Sequence, residues 1–223
     1  MAGLLDLLLP SVCPACLAAD GPDLCRDCLA RLPALVDPCR WCGIPQRRAG
    51  TCVACADQGL PHITLVVVAW QYAGLLQRLV GDAKAAGRPA AVRACASLAP
   101  LVPDSAGAVV VPVPASPGRR PGPHLGTALA QHIARRQQLP LVSALQVTRR
   151  AGEQHRLNAS ERARNVAGLF RCRPWQGTTP SHVILVDDLL TSGATASAAA
   201  SALRASGVDA VTLVVLARTL TWG

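Results

Sequence analysis

A chain of 223 residues with 51% hydrophobic and 16% charged residues can bury a sizeable core, which excludes an intrinsically disordered protein. No apolar run reaches the roughly 18 residues of a membrane span and the first residues make a poor signal peptide, so we expect a cytoplasmic protein without membrane insertion. The formal net charge of +9 favours anionic partners such as phosphates, nucleotides or nucleic acid.

The first 55 residues contain eight cysteines, arranged as four C-x-x-C pairs. At this spacing, the turn between two cysteines brings both thiolates to one side of the chain, as in tetrahedral zinc sites. A cytoplasmic chain disfavours disulfides, so the pattern predicts two structural zinc ions. The predicted ligands are Cys13, Cys16, Cys25, Cys28, Cys39, Cys42, Cys52 and Cys55. The spacing allows either neighbouring or alternate pairs to share an ion.

The remainder of the chain alternates apolar strands with helices, which predicts an α/β fold with a mainly parallel sheet and helices on both faces. We expect two domains, a zinc module over residues 1–60 and the sheet domain over residues 61–223. The predicted strands are 63–70, 108–114, 141–145, 182–186 and 210–217, and the predicted helices are 75–84, 90–98, 127–136, 159–167 and 194–206. Two further cysteines, Cys95 and Cys172, are expected among buried apolar side chains.

The segment VILVDDLLTSGAT, residues 183–195, places two adjacent carboxylates, Asp187 and Asp188, after an apolar strand. Ligands of parallel sheets bind at the carboxyl ends of the strands, and the start of the following helix offers backbone N–H groups to an anion. The turn adds small hydroxyl and glycine residues, namely Thr191, Ser192, Gly193 and Thr195. The pattern predicts a ribose 5-phosphate site, with sugar hydroxyls on the aspartates and the phosphate in the turn.

This segment resembles the phosphoribosyl pyrophosphate (PRPP) motif of type I phosphoribosyltransferases. With the four C-x-x-C pairs, the chain is similar to the ComF/GntX family of competence-related proteins. Three weaker matches, in the expected order, extend the similarity over nearly the whole chain: YAGLLQRLVGDAK, VVVPVP and QHRLNASERARNVAGLF. The resemblance implies a type I phosphoribosyltransferase-like sheet domain that follows a double zinc-ribbon-like module.

The resemblance also implies roles for individual residues. The two aspartates hold the ribose 2′- and 3′-hydroxyls, the turn holds the 5′-phosphate, and Mg²⁺ lies between the pyrophosphate and the ribose. Pyrophosphate is displaced at C1′, and the enzyme contributes positioning and charge neutralisation. The implied catalytic residues are Asp187, Asp188, Arg119 and Arg120. The implied PRPP-binding residues are Asp187, Asp188, Leu189, Thr191, Ser192, Gly193, Ala194, Thr195 and Lys84.

The chain departs from the family in the loop that follows the predicted strand 108–114. Family members usually continue Arg-Gly-Phe-Asn-Gln, whereas residues 120–125 here read R-P-G-P-H-L. Two prolines stiffen the loop and remove backbone donors, so we expect weaker pyrophosphate binding or catalysis and an intact ribose phosphate site. We expect His124 to be a solvated loop residue, with a role as an acid or donor as the alternative.

Two other functions fit the sequence. Zinc knuckles and positive charge suit single-stranded DNA, which makes a non-enzymatic binding or partner protein in DNA uptake the main alternative. Its weakness is that only six aromatic side chains are available for base stacking. The third interpretation is a PRPP sensor without turnover, whose zinc module contacts a protein of the competence machinery.

Overall fold

The computed structural model describes residues 12–18, 24–46, 50–85, 88–115, 124–148 and 168–220. Within these ranges, four parallel strands form one sheet in the order β1-β6-β5-β2: β1 (Leu65–Gln71), β2 (Val109–Pro112), β5 (His182–Leu190) and β6 (Ala210–Arg218). Two short strands, β3 (Leu145–Val147) and β4 (Phe170–Cys172), pair separately and antiparallel. The helices are α1 (Arg26–Ala30), α2 (Gly74–Lys84), α3 (Pro89–Ser97), α4 (Leu125–Gln137) and α5 (Ala194–Ala205).

Helices cover both faces of the parallel sheet. Leu79 of α2 and Ile133 of α4 share a buried cluster with Ile184 of β5, whereas Leu203 of α5 shares another with Leu185. Successive strand residues therefore face opposite layers, and each layer is apolar. Burial of a leucine or isoleucine side chain stabilises the fold by about 1.5–3 kcal/mol. The predicted fold class is confirmed.

Strand β5 is longer than the sequence analysis predicted. We expected the strand to end at residue 186 and the acidic pair to lie in a loop, and this was wrong. The strand continues to Leu190 because β6 still offers partners there: Asp187 lies opposite Val215, and Leu190 opposite Arg218. The two aspartates are therefore strand residues, whose side chains project from opposite faces of the sheet.

Other differences are confined to short elements. The predicted strand 141–145 was misplaced: Leu141 makes a single bridge to Val110, and β3 begins only at Leu145. Three-residue strands such as β3 and β4 carry too little periodicity to be recognised. Cys95 is fully buried as predicted, whereas Cys172 on β4 is only half-buried. The predicted helix 159–167 lies outside the described residues.

The cysteine-rich segment contacts the free edge of β1. Ala34 forms an antiparallel bridge with Trp70, and the Val66 N–H donates to the Arg40 carbonyl at 2.7 Å. Leu32 joins the buried cluster under α2 and α4. The segment thus covers an edge strand that would otherwise expose unpaired backbone groups. A membrane-spanning helix is absent from the described part of the chain.

Candidate functional site

The eight paired cysteines form two compact groups, each made of neighbouring pairs. The four sulfur atoms within each group lie within 4.8 Å of one another. We call them the first centre, formed by Cys13, Cys16, Cys25 and Cys28, and the second centre, formed by Cys39, Cys42, Cys52 and Cys55. Of the two arrangements that the sequence allowed, the structure has the one in which neighbouring pairs share a site.

The sulfur spacing fits a tetrahedral zinc ion. Zn–S bonds of about 2.3 Å place the ligand sulfurs of a tetrahedron about 3.8 Å apart. The Cys16–Cys25, Cys39–Cys55 and Cys42–Cys52 sulfur pairs are separated by 3.7, 3.9 and 3.8 Å. Four thiolates fill every position of such an ion, so both centres suit structural zinc rather than catalysis.

A repeated backbone turn shapes these knuckles. In each C-x-x-C pair, the carbonyl of the first cysteine accepts from the N–H four residues later, at 2.7–2.9 Å. Backbone N–H groups also point at sulfur: the Trp41 N–H, within its own knuckle, donates to Cys39 Sγ at 3.4 Å, and the Cys25 N–H, from the neighbouring knuckle, donates to Cys13 Sγ at 3.5 Å. Donors of this kind stabilise thiolates, which are the form that binds metal.

The pKa values within the first centre diverge. Burial opposes ionisation of Cys13, but backbone hydrogen bonds from Cys25, Cys16 and Ala15 outweigh it and lower the pKa to about 6. Burial and the neighbouring thiols raise the pKa of Cys28 to about 12. Four sulfurs at this distance cannot all ionise without a cation among them, and Zn²⁺ is a cation that supplies this compensation.

The acidic pair forms a second candidate site, together with the end of α2. Lys84 Nζ lies 2.9 Å from Asp188 Oδ2, with the two side chains 28% and 11% exposed. The Asp188 N–H donates to Asp187 Oδ1 at 2.8 Å. The structure thus brings three of the predicted ligand-binding residues together, but it places Lys84 against a carboxylate.

Helix α3 lies beside this ion pair. Burial raises the pKa of Cys95 to about 12, with a further increase from the Asp188 carboxylate and a smaller decrease from Lys84. The side chain is therefore a neutral thiol at physiological pH. It adds no charge of its own to the surroundings of the ion pair.

The turn after β5 lies at the start of α5. Gly193 has φ +83°, a left-handed conformation that favours glycine, and it is the residue that precedes the helix. Ser192 Oγ accepts from the Ala194 N–H at 3.4 Å. Hydroxyl groups that reach solvent surround this turn, on Thr191, Ser192 and Thr195. Leu189 and Ala194, also predicted to contact the ligand, are half-buried.

The segment that follows the second centre contacts the same turn. A Cβ atom placed on Gly193 would lie 2.7 Å from Leu60 Cδ2. Leu60 is the fifth residue after Cys55, so the cysteine-rich segment and the turn are direct neighbours. This contact could not be predicted from the sequence, because leucine is common in every kind of core.

The start of α4 lies against Asp187. A Cβ atom on Gly126 would lie 3.9 Å from Asp187 Cα and 3.1 Å from His124 Cε1. His124 Nδ1 accepts from the Thr127 N–H at 3.3 Å and so caps the helix. The expectation of a solvated loop histidine was wrong, because α4 begins two residues earlier than predicted. Arg119 and Arg120, in the loop before it, lie outside the described residues.

Sequence reasoning missed one candidate functional residue. Arg218 ends the apolar strand β6 with a buried guanidinium that extends towards the second centre. The available signal was an arginine directly after VTLVVLA, where a charge has no reason to be buried without a partner.

Comparisons with known proteins match both parts of the chain. Residues 4–56 match the family model of the double zinc ribbon domain. The chain is 30% identical over 234 aligned residues to the DNA utilization protein YhgH of Escherichia coli K12, with 96% of this chain and 100% of that protein covered. YhgH proteins of Escherichia coli O157:H7 and Shigella flexneri match with the same identity and coverage.

Proposed function

The chain belongs to the ComF-like family that contains the DNA utilization protein YhgH, and we propose that it binds PRPP or a related ribose phosphate with Mg²⁺ at the carboxyl end of β5. The observation that carries this proposal is the position of the acidic pair, which directly precedes a glycine turn at the start of α5. In ribose 5-phosphate the phosphate lies three bonds from the ring that carries the hydroxyl groups. The hydroxyl groups can therefore meet the aspartates while the phosphate meets the turn.

The phosphate half of the proposal rests on the turn. The first N–H groups of a helix have no partner within the helix, and the helix dipole favours an anion there. Thr191, Ser192 and Thr195 surround that position with exposed hydroxyl groups. Gly193 gives the turn its left-handed conformation at φ +83°, and Leu60 packs against it on the side where a side chain would project. Together these groups bind the 5′-phosphate.

The two aspartates have different roles in the proposed binding of the sugar. Lys84 Nζ, 2.9 Å from Asp188 Oδ2, neutralises the Asp188 carboxylate and holds it in place. Asp187, on the opposite face and half-buried, then accepts from the ribose hydroxyls. Carboxylate oxygens and sugar hydroxyls are ligands that suit Mg²⁺, whose remaining positions go to pyrophosphate oxygens and water.

The start of α4 lies against Asp187, and Arg119 and Arg120 precede it in sequence, outside the described residues. The family resemblance assigns the pyrophosphate to these two arginines. In the enzymatic form of the proposal, the bond from C1′ to pyrophosphate breaks while an acceptor forms a bond to C1′. The acceptor is unidentified, and binding without turnover is the sensor form of the same proposal.

Calorimetric titration of PRPP with Mg²⁺ into the zinc-loaded protein tests the site. The test variant is Asp187→Asn. The matched control is Asp209→Asn, an exposed carboxylate just before the amino end of β6 and so at the other edge of the sheet from the proposed site. We expect binding that Asp187→Asn weakens at least tenfold and that the control retains. Equal binding by wild type and Asp187→Asn would overturn the proposal. Pyrophosphate release with trial acceptors separates enzyme from sensor.

Binding of single-stranded DNA is the second candidate, favoured by a basic chain and by one contact on the second ribbon. The Arg40 guanidinium lies 4.8 Å from the centroid of the Trp41 ring, a pair of groups that can stack on a base and contact phosphate. Trp70 and Trp175 are less suited to this role, since their indole N–H groups donate to internal acceptors at 3.0 and 3.1 Å.

A salt titration of oligonucleotide affinity tests this second candidate. Phosphate contacts predict an affinity that falls steeply with salt, and Arg40→Gln reduces both the affinity and the salt slope. Affinity that is absent at physiological ionic strength removes DNA as the ligand. A protein of the competence machinery, held by the zinc ribbons, would then be the partner to seek.

A further inference from the structure

Arg218 is a buried cation without an ordinary partner. Its residue surface is 7% exposed, and Nε and Nη1 have no hydrogen-bond partner among the described residues. Within the same part of the chain, the carboxylate ion pairs involve Lys84 and Arg88, and none involves Arg218. An uncompensated buried charge is strongly destabilising, so a compensating negative charge is needed nearby.

The backbone of Arg218 is held at the carboxyl end of the sheet. The residue pairs with Gln71 on one side and Leu190 on the other, and its carbonyl accepts from the Tyr72 N–H at 2.7 Å. The backbone on both sides is thus ordered by strand pairing. The side chain therefore leaves the strand in a fixed direction.

That direction leads to the second centre. A Cβ atom on Gly43, the residue after Cys42, would lie 3.4 Å from Arg218 Cδ. Gly43 has φ +74°, and a side chain there would also meet Val68 at 3.0 Å. The absence of a side chain at this position lets the arginine pack directly against the knuckle.

The four cysteines of this centre act electrostatically on Arg218. Burial lowers the pKa of the guanidinium, and Cys42, Cys39, Cys52 and Cys55 each oppose that decrease. A zinc ion with four thiolates carries a formal charge of −2. This negative charge would compensate the buried positive charge of the Arg218 guanidinium. Groups just outside the ligand shell commonly change metal affinity by about 10–100-fold.

We propose that Arg218 is the counter-charge of the second centre: its guanidinium stabilises the four metal-bound thiolates and fastens that ribbon to the end of β6. This role of Arg218 in the zinc ribbon does not depend on the ribose phosphate site proposed beside β5. It also gives the two centres different chemistry, because the arginine acts on the second one. If the second centre loses its zinc, Arg218 remains buried without a compensating negative charge, which destabilises the fold.

The test uses the full, zinc-loaded chain and the variant Arg218→Met, which keeps the length and packing of the side chain but removes the charge. Arg78→Met, at an exposed position of α2, is the control for loss of one arginine. A chelator is added, and cysteine alkylation followed by peptide mass spectrometry reports each centre separately. The first centre serves as an internal reference in every sample.

We expect Arg218→Met to release zinc from the second centre about ten times faster or more, with the first centre unchanged. Arg218→Lys, which keeps a charge, releases it more slowly than the methionine variant. If Arg218 only filled space, Arg218→Met would release zinc no faster than the wild type and more slowly than Arg218→Lys. Replacing an unpaired buried charge with an apolar side chain is often stabilising. Unchanged release, or equal acceleration at both centres, overturns the proposal.

A measurement on the wild-type protein applies even if the methionine variant fails to fold. Phenylglyoxal modifies accessible arginine side chains, and peptide mass spectrometry locates the product. Arg218 should be protected in the zinc-loaded protein and become reactive in step with zinc loss from the second centre. Protection that persists after this centre has lost its zinc would show that the metal-bound thiolates do not hold the guanidinium.

Discussion

Lys84 at the end of α2 and Asp188 in β5 form an ion pair of 2.9 Å that joins a helix to the parallel sheet beside the proposed ligand site. The pair is largely removed from solvent, and its charges act on the pKa of the buried Cys95 thiol. Two adjacent carboxylates would repel each other, and the lysine reduces that cost. The pair thus links the stability of the sheet domain to the charge of its candidate site.

Removal of the lysine charge should destabilise the protein. Lys84→Met leaves the Asp188 carboxylate buried without its cation, and we expect a loss of about 1–3 kcal/mol of unfolding free energy. Urea denaturation of the zinc-loaded protein measures it. The double variant Lys84→Met/Asp188→Asn removes both charges and should recover part of the loss. Additive effects of the two single variants would contradict a coupled pair.

Zinc content distinguishes the observed grouping of cysteines from an interleaved one. A variant with all four cysteines of the first centre changed to serine leaves the second centre complete, so one zinc ion per chain should remain. Native mass spectrometry of the variant and the wild type counts the ions. Interleaved ligation would leave two half-sites in that variant and no complete one. The mirror variant of the second centre is the matched control.

Substitution of Gly193 tests the contact between the turn and the cysteine-rich segment. Gly193→Ala places a methyl group 2.7 Å from Leu60 Cδ2 and forces alanine into the left-handed region at φ +83°. The backbone conformation alone costs about 1–2 kcal/mol. In the Leu60→Ala background the steric part disappears, so the same glycine substitution should cost less. If Gly193→Ala lowers the unfolding free energy equally in both backgrounds, the Leu60 side chain moves aside without a measurable cost.

The two unpaired cysteines should differ in reactivity. Cys95 is buried and its pKa is about 12, so it remains a thiol and alkylation should stay slow as the pH rises from 7 to 9. Cys172, half-buried on β4, should react in the folded, zinc-loaded protein. Alkylation with iodoacetamide, read out by peptide mass spectrometry, compares them within one sample. Rapid labelling of Cys95 under native conditions would mean that α3 opens readily.

The sequence predicted the large features of this fold because each one carries a strong local signal. The spacing within four C-x-x-C pairs predicts cysteine ligation, and apolar runs such as VTLVVLA predict buried strands. The grouping of the cysteines was left open, since it depends on how the knuckles fold against one another. The end of β5 was misjudged for a similar reason: carboxylates suggest a loop, but pairing with β6 extends the strand to Leu190.

The candidate site shows the same limit. The acidic pair and the turn are contiguous in sequence, so their proximity could be predicted. The Asp188–Lys84 ion pair, the Leu60–Gly193 contact and the approach of Arg218 to the second centre join residues from distant parts of the chain. The local sequence pattern does not identify these contacts, because they depend on how the helices and the zinc ribbons pack on the sheet.

The most direct test of the proposed ribose phosphate site follows backbone amide signals by nuclear magnetic resonance while ribose 5-phosphate and Mg²⁺ are added to the zinc-loaded protein. We expect the largest shifts on the amides of residues 192–195 and on Asp187, with saturation at one ligand per chain. Shifts confined to the zinc ribbons, or none at millimolar ligand, would contradict it.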